Sequence, residues 1–129
     1  MKIRSIAPCG MNCNLCMGYI RHKNKCPGCR DLDNKDLNPK DSRKKCIIRS
    51  CEFFKNGNYK YCSNKCEKYP CRRLKQLDKR YRTKYGMSMI ENLEMIDEEG
   101  IRKFIANEKK RWIKDGKIFC VHKKQYFDI

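Results

Sequence analysis

The pattern of apolar and polar positions is regular only in the second half of the chain. From Pro70 to Gly86, apolar residues recur at three- and four-residue spacing, which predicts one amphipathic helix. Proline suits its first position, and glycine suits the residue that ends it. The predicted buried stripe comprises Cys71, Leu74, Leu77, Tyr81 and Tyr85.

Two more helices and a hairpin are predicted after Gly86. Ser88-Met-Ile-Glu91 is a capping box that opens a helix, which buries Leu93, Ile96 and either Met89 or Ile90. Asp97 is predicted to cap the next helix. Its buried side comprises Ile101, Phe104, Ile105, Glu108 and Trp112.

A small hairpin is expected where the third helix ends. Asp115-Gly116 predicts a tight turn between residues 112–114 and 117–119. The tail that begins at Cys120 has no clear assignment.

The first seventy residues lack such periodicity. Residues 1–30 are rich in turn formers, with one short helical turn around Leu15–Arg21. Residues 31–45 are polar and predict a surface loop. Residues 46–55 are interpreted as a helix that Gly57 caps, and a hairpin turning at Asn56-Gly57 is the alternative.

Cysteine dominates this irregular part, since ten of the eleven cysteines lie between residues 9 and 71. A small core of this kind usually needs disulfides or a bound metal. The N-terminus has no apolar segment typical of a signal peptide, and no apolar run approaches the roughly 20 residues of a membrane span. With an odd cysteine count, these features favour a cytoplasmic chain with reduced, metal-binding thiols and no membrane partner.

The spacing of the cysteines predicts about two zinc ions. Cys13-x2-Cys16 and Cys26-x2-Cys29 together supply four thiolates, which is a common zinc ligand set. A second set comes from residues 46–66, and Cys9 and Cys71 are either left over or used in an interleaved arrangement. An iron–sulfur cluster is the alternative cofactor, because cysteine ligation alone does not separate zinc from iron. The candidate ligands are Cys9, Cys13, Cys16, Cys26, Cys29, Cys46, Cys51, Cys62, Cys66 and Cys71.

The motifs give little support for an enzyme. Cys9-x3-Cys13-x2-Cys16 has the spacing of radical S-adenosylmethionine enzymes, but the chain is too short for the barrel they require. No Ser-His-Asp order, glycine-rich phosphate loop or H-E-x-x-H sequence is present. Cys120 and His122 offer only two donors for a third metal site.

Charge suggests a polyanionic partner. The formal charge is +17, and two ions that each bind four thiolates would leave about +13. Basic residues cluster on the first predicted helix, where they can bind the phosphates of RNA or DNA. Tyr81 and Tyr85 could stack on bases, but their spacing favours packing in the core. The candidate nucleic-acid contacts are Arg72, Arg73, Lys75, Lys79, Arg80, Arg82 and Lys84.

The order of these motifs resembles a family of small microbial proteins, domain of unknown function 3795. The similar segments are Ala7-Pro8-Cys9-Gly10-x2-Cys13-x2-Cys16-x2-Tyr19, Cys26-x-Gly28-Cys29-Arg30, Cys46-x-Ile48-x2-Cys51, Lys55-Asn-Gly57, Cys62, Cys66, Tyr69-Pro70-Cys71, Glu91-Asn92-Leu93-x2-Ile96 and Glu108 with Arg111-Trp112. The resemblance implies a cysteine-rich, zinc-binding cytosolic protein and supplies no activity. Two departures are the longer Cys62-x3-Cys66 spacing and the absence of paired cysteines near Cys120.

The sequence therefore predicts one small, metal-stabilised, α-rich domain with minor β structure over residues 1–129. Residues 1–71 form a loop-rich cysteine module, and residues 72–129 form about three helices with a short C-terminal hairpin. The expected function is a non-enzymatic zinc-binding module that binds nucleic acid or another macromolecule. The alternatives are an iron–sulfur or thiol redox and metal-handling protein, and a structural protein–protein adaptor.

Overall fold

The computed structural model describes residues 1–31, 60–63 and 66–129. The predicted loop and the helix-or-hairpin segment between residues 32 and 57 lie outside the described residues, as do Cys46 and Cys51. The helices are α1 (Met17–Ile20), α2 (Arg72–Tyr85), α3 (Met89–Glu99) and α4 (Ile101–Trp112). The strands β1 (Ile113–Lys114), β2 (Lys117–Cys120) and β3 (Gln125–Asp128) form one antiparallel sheet in the order β1-β2-β3. An α-rich fold with minor β structure is therefore confirmed for this part of the chain.

Helix α2 is the predicted amphipathic helix, with a later start. Cys71 has extended backbone angles (φ −75°, ψ 167°) and is the N-cap, so the first helical residue is Arg72 and not Pro70. Gly86 ends the helix in the left-handed region with φ 65°, as predicted. Leu74 is fully buried, and the other members of the predicted stripe are half-buried.

Helix α3 begins where the capping box predicts, because the Ser88 hydroxyl accepts a hydrogen bond from the backbone N–H of Glu91. The predicted cap at Asp97 is wrong, since α3 continues to Glu99. Gly100, with φ 89°, instead separates α3 from α4 and caps both helices. Gly100 combines φ 89° with ψ 158°, a region that essentially only glycine adopts, which explains why the boundary falls there.

The predicted hairpin is confirmed between β1 and β2. Asp115 and Gly116 both have positive φ, 53° and 73°, which is the geometry of a tight hairpin turn. The third strand was not predicted, because the tail does not alternate between apolar and polar residues. It forms because β2 offers a free edge, with Phe119 opposite Tyr126 and Cys120 opposite Gln125.

The N-terminal module packs directly on the helices and the sheet. The backbone N–H of Val121 donates to the carbonyl of Leu15 at 3.0 Å, and the Asn92 side chain donates to the carbonyl of Gly10 at 2.9 Å. Cys9 and Cys13 are buried in the same apolar cluster that contains residues of α2 and α3. The core is therefore the layer in which the cysteine module meets the helices.

Candidate metal centre and basic helix face

Tight turns bring the first three cysteines together. The Asn12 side chain accepts a hydrogen bond from the backbone N–H of Asn14 at 3.0 Å, which starts a short 3-10 helix at Cys13–Leu15. The N–H of Cys16 then donates to the carbonyl of Cys13 at 3.0 Å. Cys9 lies one turn earlier, where it is buried next to the same segment.

The second cysteine pair folds back onto the first. The backbone N–H of Cys26 donates to the carbonyl of Gly18 at 2.7 Å. A methyl group built on Gly18 would lie 3.5 Å from Cβ of Cys26 and 3.6 Å from Sγ of Cys16, so these two side chains flank the same point. Gly28, with φ 103°, allows the turn that returns Cys29 to the group.

Cys9 also influences the thiols of this group. A hydrogen bond with the Cys13 thiol is the largest influence that raises the pKa of Cys29, followed by burial and then by the neighbouring Cys13, Cys9 and Cys26. Burial is also the largest influence raising the pKa of Cys16, whereas the backbone N–H groups of Gly18 and Tyr19 lower it. The name thiol cluster is used below for Cys9, Cys13, Cys16, Cys26 and Cys29.

The thiol cluster gathers thiol side chains but does not have the geometry of a metal site. Among the described residues, no three Cys, His, Asp or Glu side chains already converge as ligands of one ion. The donor set nevertheless fits, because four thiolates complete a tetrahedral zinc site and backbone N–H groups point at the Cys16 sulfur.

The later cysteines also pack near the module. The backbone N–H of Cys62 donates to the carbonyl of Pro8 at 2.9 Å, which places Cys62 beside Cys9. Cys62 and Cys71 both pack against the apolar cluster that contains Cys9, and Cys66 begins the turn between them. Their predicted partners Cys46 and Cys51 lie outside the described residues, so a second metal site stays a prediction.

His122 is held by the protein through both ring nitrogens. Its Nδ1 lies 3.3 Å from the backbone N of Met17 and must accept that hydrogen bond, so Nε2 carries the proton that is donated to Tyr81 Oη at 3.2 Å. Burial lowers the pKa of His122, which keeps this neutral tautomer. The structure therefore gives no support to a third metal site at His122 and the fully buried Cys120.

The two tyrosines of α2 pack inward, as their spacing predicts. The rings of Tyr81 and Tyr85 lie 4.9 Å apart, and the His122 ring packs edge-on against Tyr85 at 4.8 Å. Burial raises the pKa of Tyr81, and the nearby Cys16 and Cys9 raise it further. Tyr81 therefore packs beside the thiol cluster, and its ring is not exposed for base stacking.

The opposite side of α2 is a cationic surface. All seven basic residues that the sequence singles out are exposed. Arg82 forms ion pairs, because its Nε lies 2.7 Å from Asp78 Oδ2 and its Nη2 lies 3.5 Å from Glu91 Oε1. The basic face is defined here as Arg72, Arg73, Lys75, Lys79, Arg80, Arg82 and Lys84.

Asp78 is a structural residue that the sequence pattern did not reveal. Its carboxylate accepts hydrogen bonds from the Ser88 hydroxyl at 2.6 Å, the Ile90 N–H at 3.0 Å and Arg82 at 2.7 Å. Burial, the largest influence, would raise the pKa of Asp78, but the three donors outweigh it and lower the pKa. Asp78 therefore joins α2 to the first turn of α3, and its place at the edge of the apolar stripe was the available signal.

No protein-family model, curated protein or solved structure matches this chain. None of the helices in residues 1–31, 60–63 and 66–129 combines the length and the apolar composition that a membrane span requires. The resemblance drawn from the cysteine motifs thus stays an expectation.

Proposed function

We propose that this protein is a non-enzymatic zinc-binding module that binds nucleic acid through the basic face of α2. The observation that carries the proposal is the two-sided character of α2. One side buries Leu74 and Asp78 and packs Tyr81 beside the thiol cluster, while the other side presents the exposed basic face. A rigid helix with all its cations on one side can follow a line of phosphates.

The thiol cluster supports the metal part of the proposal. Five thiols lie in one largely buried neighbourhood, and they would repel one another as thiolates without a cation between them. A zinc ion at that point would be structural, because it would tie the turns at Cys9–Cys16 to the turn at Cys26–Cys29. Folding of the module would then depend on the ion.

Metal analysis of the purified protein tests this part. Elemental analysis should find zinc, and the protein should be colourless. A brown protein that absorbs near roughly 400 nm would replace the zinc proposal with an iron–sulfur cluster. A protein that is folded and free of both metals would refute a metal site altogether.

The basic face supports the nucleic-acid part. Its exposed residues are positioned to contact the phosphate backbone and carry no base-reading geometry, so the expected binding is independent of sequence. Each phosphate that the helix neutralises should steepen the salt dependence of the association constant by about 0.9 in a log–log plot with duplex DNA. The expected affinity therefore falls sharply as the salt concentration rises.

A titration with matched charge variants tests the nucleic-acid part. Lys75→Gln with Lys79→Gln removes two exposed charges from α2, and Lys109→Gln with Lys110→Gln removes two exposed charges from α4. Fluorescence anisotropy with a labelled duplex should show a weaker complex and a salt slope smaller by about 2 for the α2 pair alone. Equal losses of affinity for both pairs would show that binding depends on net charge and not on the basic face. No binding at low salt would refute the proposal.

A further inference from the structure

The sheet has an outer face that the basic helix does not explain. Alternate residues of a strand point to opposite faces, and in β2 the inner positions Ile118 and Cys120 are buried. Lys117 and Phe119 therefore occupy the outer face. Their cross-strand partners place Lys114 of β1 and Tyr126 of β3 on that face as well.

Aromatic rings form a continuous row across this face. The Trp112 ring stacks on Phe119 with centroids 5.5 Å apart and planes 14° apart, and Tyr126 meets the edge of Phe119 at 5.3 Å. The Arg111 guanidinium covers Trp112 at 4.4 Å from the ring centroid. The aromatic row is defined as Trp112, Phe119 and Tyr126. Its open end is Tyr126, of which 42% is exposed.

Cations border the aromatic row. Lys114 and Lys117 are exposed on the same outer face, and Lys123 and Lys124 are exposed in the turn that leads into β3. Two acidic residues are also close, since Asp128 lies directly opposite Lys117 and Asp115 lies in the turn between Lys114 and Lys117. The surface thus offers a flat aromatic ring among positive charges, which complements a molecule that has planar rings and a negatively charged backbone.

The turn between β2 and β3 joins the sheet to helix α2. His122 lies in that turn, donates a hydrogen bond to Tyr81, and packs its ring against Tyr85. Both tyrosines belong to the C-terminal half of α2. The turn that carries Lys123 and Lys124 therefore packs on the inward side of α2.

We propose that the outer face of the sheet binds single-stranded nucleic acid, with a base stacked on Tyr126 and the adjoining phosphates held by Lys114 and Lys117. The bases of a duplex are stacked on each other, so only an unpaired base can present its flat face to an exposed tyrosine. This inference rests on the proposed function, because it requires that the protein binds nucleic acid. It adds a preference for single strands, which phosphate contacts alone do not give.

The test compares a labelled oligothymidine with a duplex of the same length, using the full-length protein. Tyr126→Ala should weaken single-strand binding about tenfold and leave duplex binding unchanged. Tyr126→Phe keeps the ring and should bind as the unchanged protein does. Ile3→Ala is the control for removing an exposed apolar side chain elsewhere, since Ile3 is 46% exposed. Circular dichroism verifies that each variant is folded.

The single tryptophan gives a second readout that needs no label. Trp112 stacks on Phe119, which contacts Tyr126, so oligothymidine should quench Trp112 fluorescence and duplex DNA should not. Equal affinities for single strands and duplexes, together with an unaffected Tyr126→Ala, would overturn this inference and leave the proposed function standing. If Tyr126→Ala weakens single-strand binding and the Lys75→Gln, Lys79→Gln pair does not, the proposed role of α2 is overturned and the role of the sheet stands. Absence of binding to either probe would overturn both.

Discussion

Replacing Gly10 with alanine should destabilise the protein, because the added methyl group has no space. It would lie 2.8 Å from the carbonyl oxygen of Met89 and 2.9 Å from Cγ of Leu93. The oxygen belongs to the backbone of α3 and cannot rotate away. The Asn92 side chain also donates to the carbonyl of Gly10 at 2.9 Å, so any shift of residue 10 disturbs a buried hydrogen bond.

Two separate costs contribute to the expected loss. Gly10 has φ 90°, and holding a residue with a Cβ in that region costs about 1–3 kcal/mol. Overfilling the contact with α3 adds about 1–3 kcal/mol. Gly100 has nearly the same φ, 89°, but nothing lies within 4 Å of its added methyl group. Gly100→Ala should therefore carry only the first cost, and Gly10→Ala should lose about 1–3 kcal/mol more.

Urea unfolding of the two variants and the unchanged protein, followed by circular dichroism, measures this difference. The denaturation midpoint should fall further for Gly10→Ala while the slope with denaturant stays constant. The metal content of Gly10→Ala should also be measured, since Cys9 is its neighbour. Equal losses for the two variants would show that the contact between the cysteine module and α3 is looser than the structure indicates, and would refute the reasoning.

Three further predictions concern buried groups and the metal. Burial raises the pKa of Glu108 above its ordinary 4.5, although Arg111 and Trp112 act to lower it. The contribution of Glu108 to the free energy of unfolding is therefore fully present below pH 4.5 and is lost as the pH rises through its pKa in the folded protein. Glu108→Gln should therefore be about 1 kcal/mol more stable at pH 7, and its advantage should vanish in acid. The pKa of Asp78 is lowered, so the stability that Asp78 adds to the protein is present above pH 3.8 and is lost as the pH falls through the lowered pKa. Asp78→Asn should cost about 1–3 kcal/mol at pH 7, and the cost should fade in acid. Chelation should expose residues 1–31 to protease, because metal binding and folding of the module are coupled.

Each of these predictions has a result that contradicts it. Urea unfolding over a range of pH serves both carboxylates, and the two variants must diverge in opposite directions from the unchanged protein as the pH rises. A pH-independent effect would mean that the Glu108 or Asp78 carboxylate is not the cause. For the metal, unchanged circular dichroism and protease resistance after chelation would refute coupling, and restored resistance on adding zinc is the control.

Features that depend on a few neighbouring residues could be predicted from the sequence. The Ser88 cap, the Gly86 helix end and the turn at Asp115-Gly116 all form where they were expected. The reason is that each one satisfies or turns the backbone within a few residues, so its chemistry is readable locally. The missed boundary at Gly100 is local too, and it shows that a positive φ at glycine outweighed a good capping residue at Asp97.

Features that depend on how the elements dock could not be predicted. The sequence by itself determined the amphipathic α2 and two paired cysteine motifs, but it left Cys9 outside the first ligand set and β3 without an assignment. Only the tertiary structure placed Cys9 and Cys29 in one apolar cluster and positioned Tyr126 across from Phe119. These pairs are distant in sequence or fall in segments without periodicity, so no short pattern encodes them. The cysteines meet because the cysteine module and the helices bury one shared apolar layer. Tyr126 meets Phe119 because β3 pairs with the edge of β2.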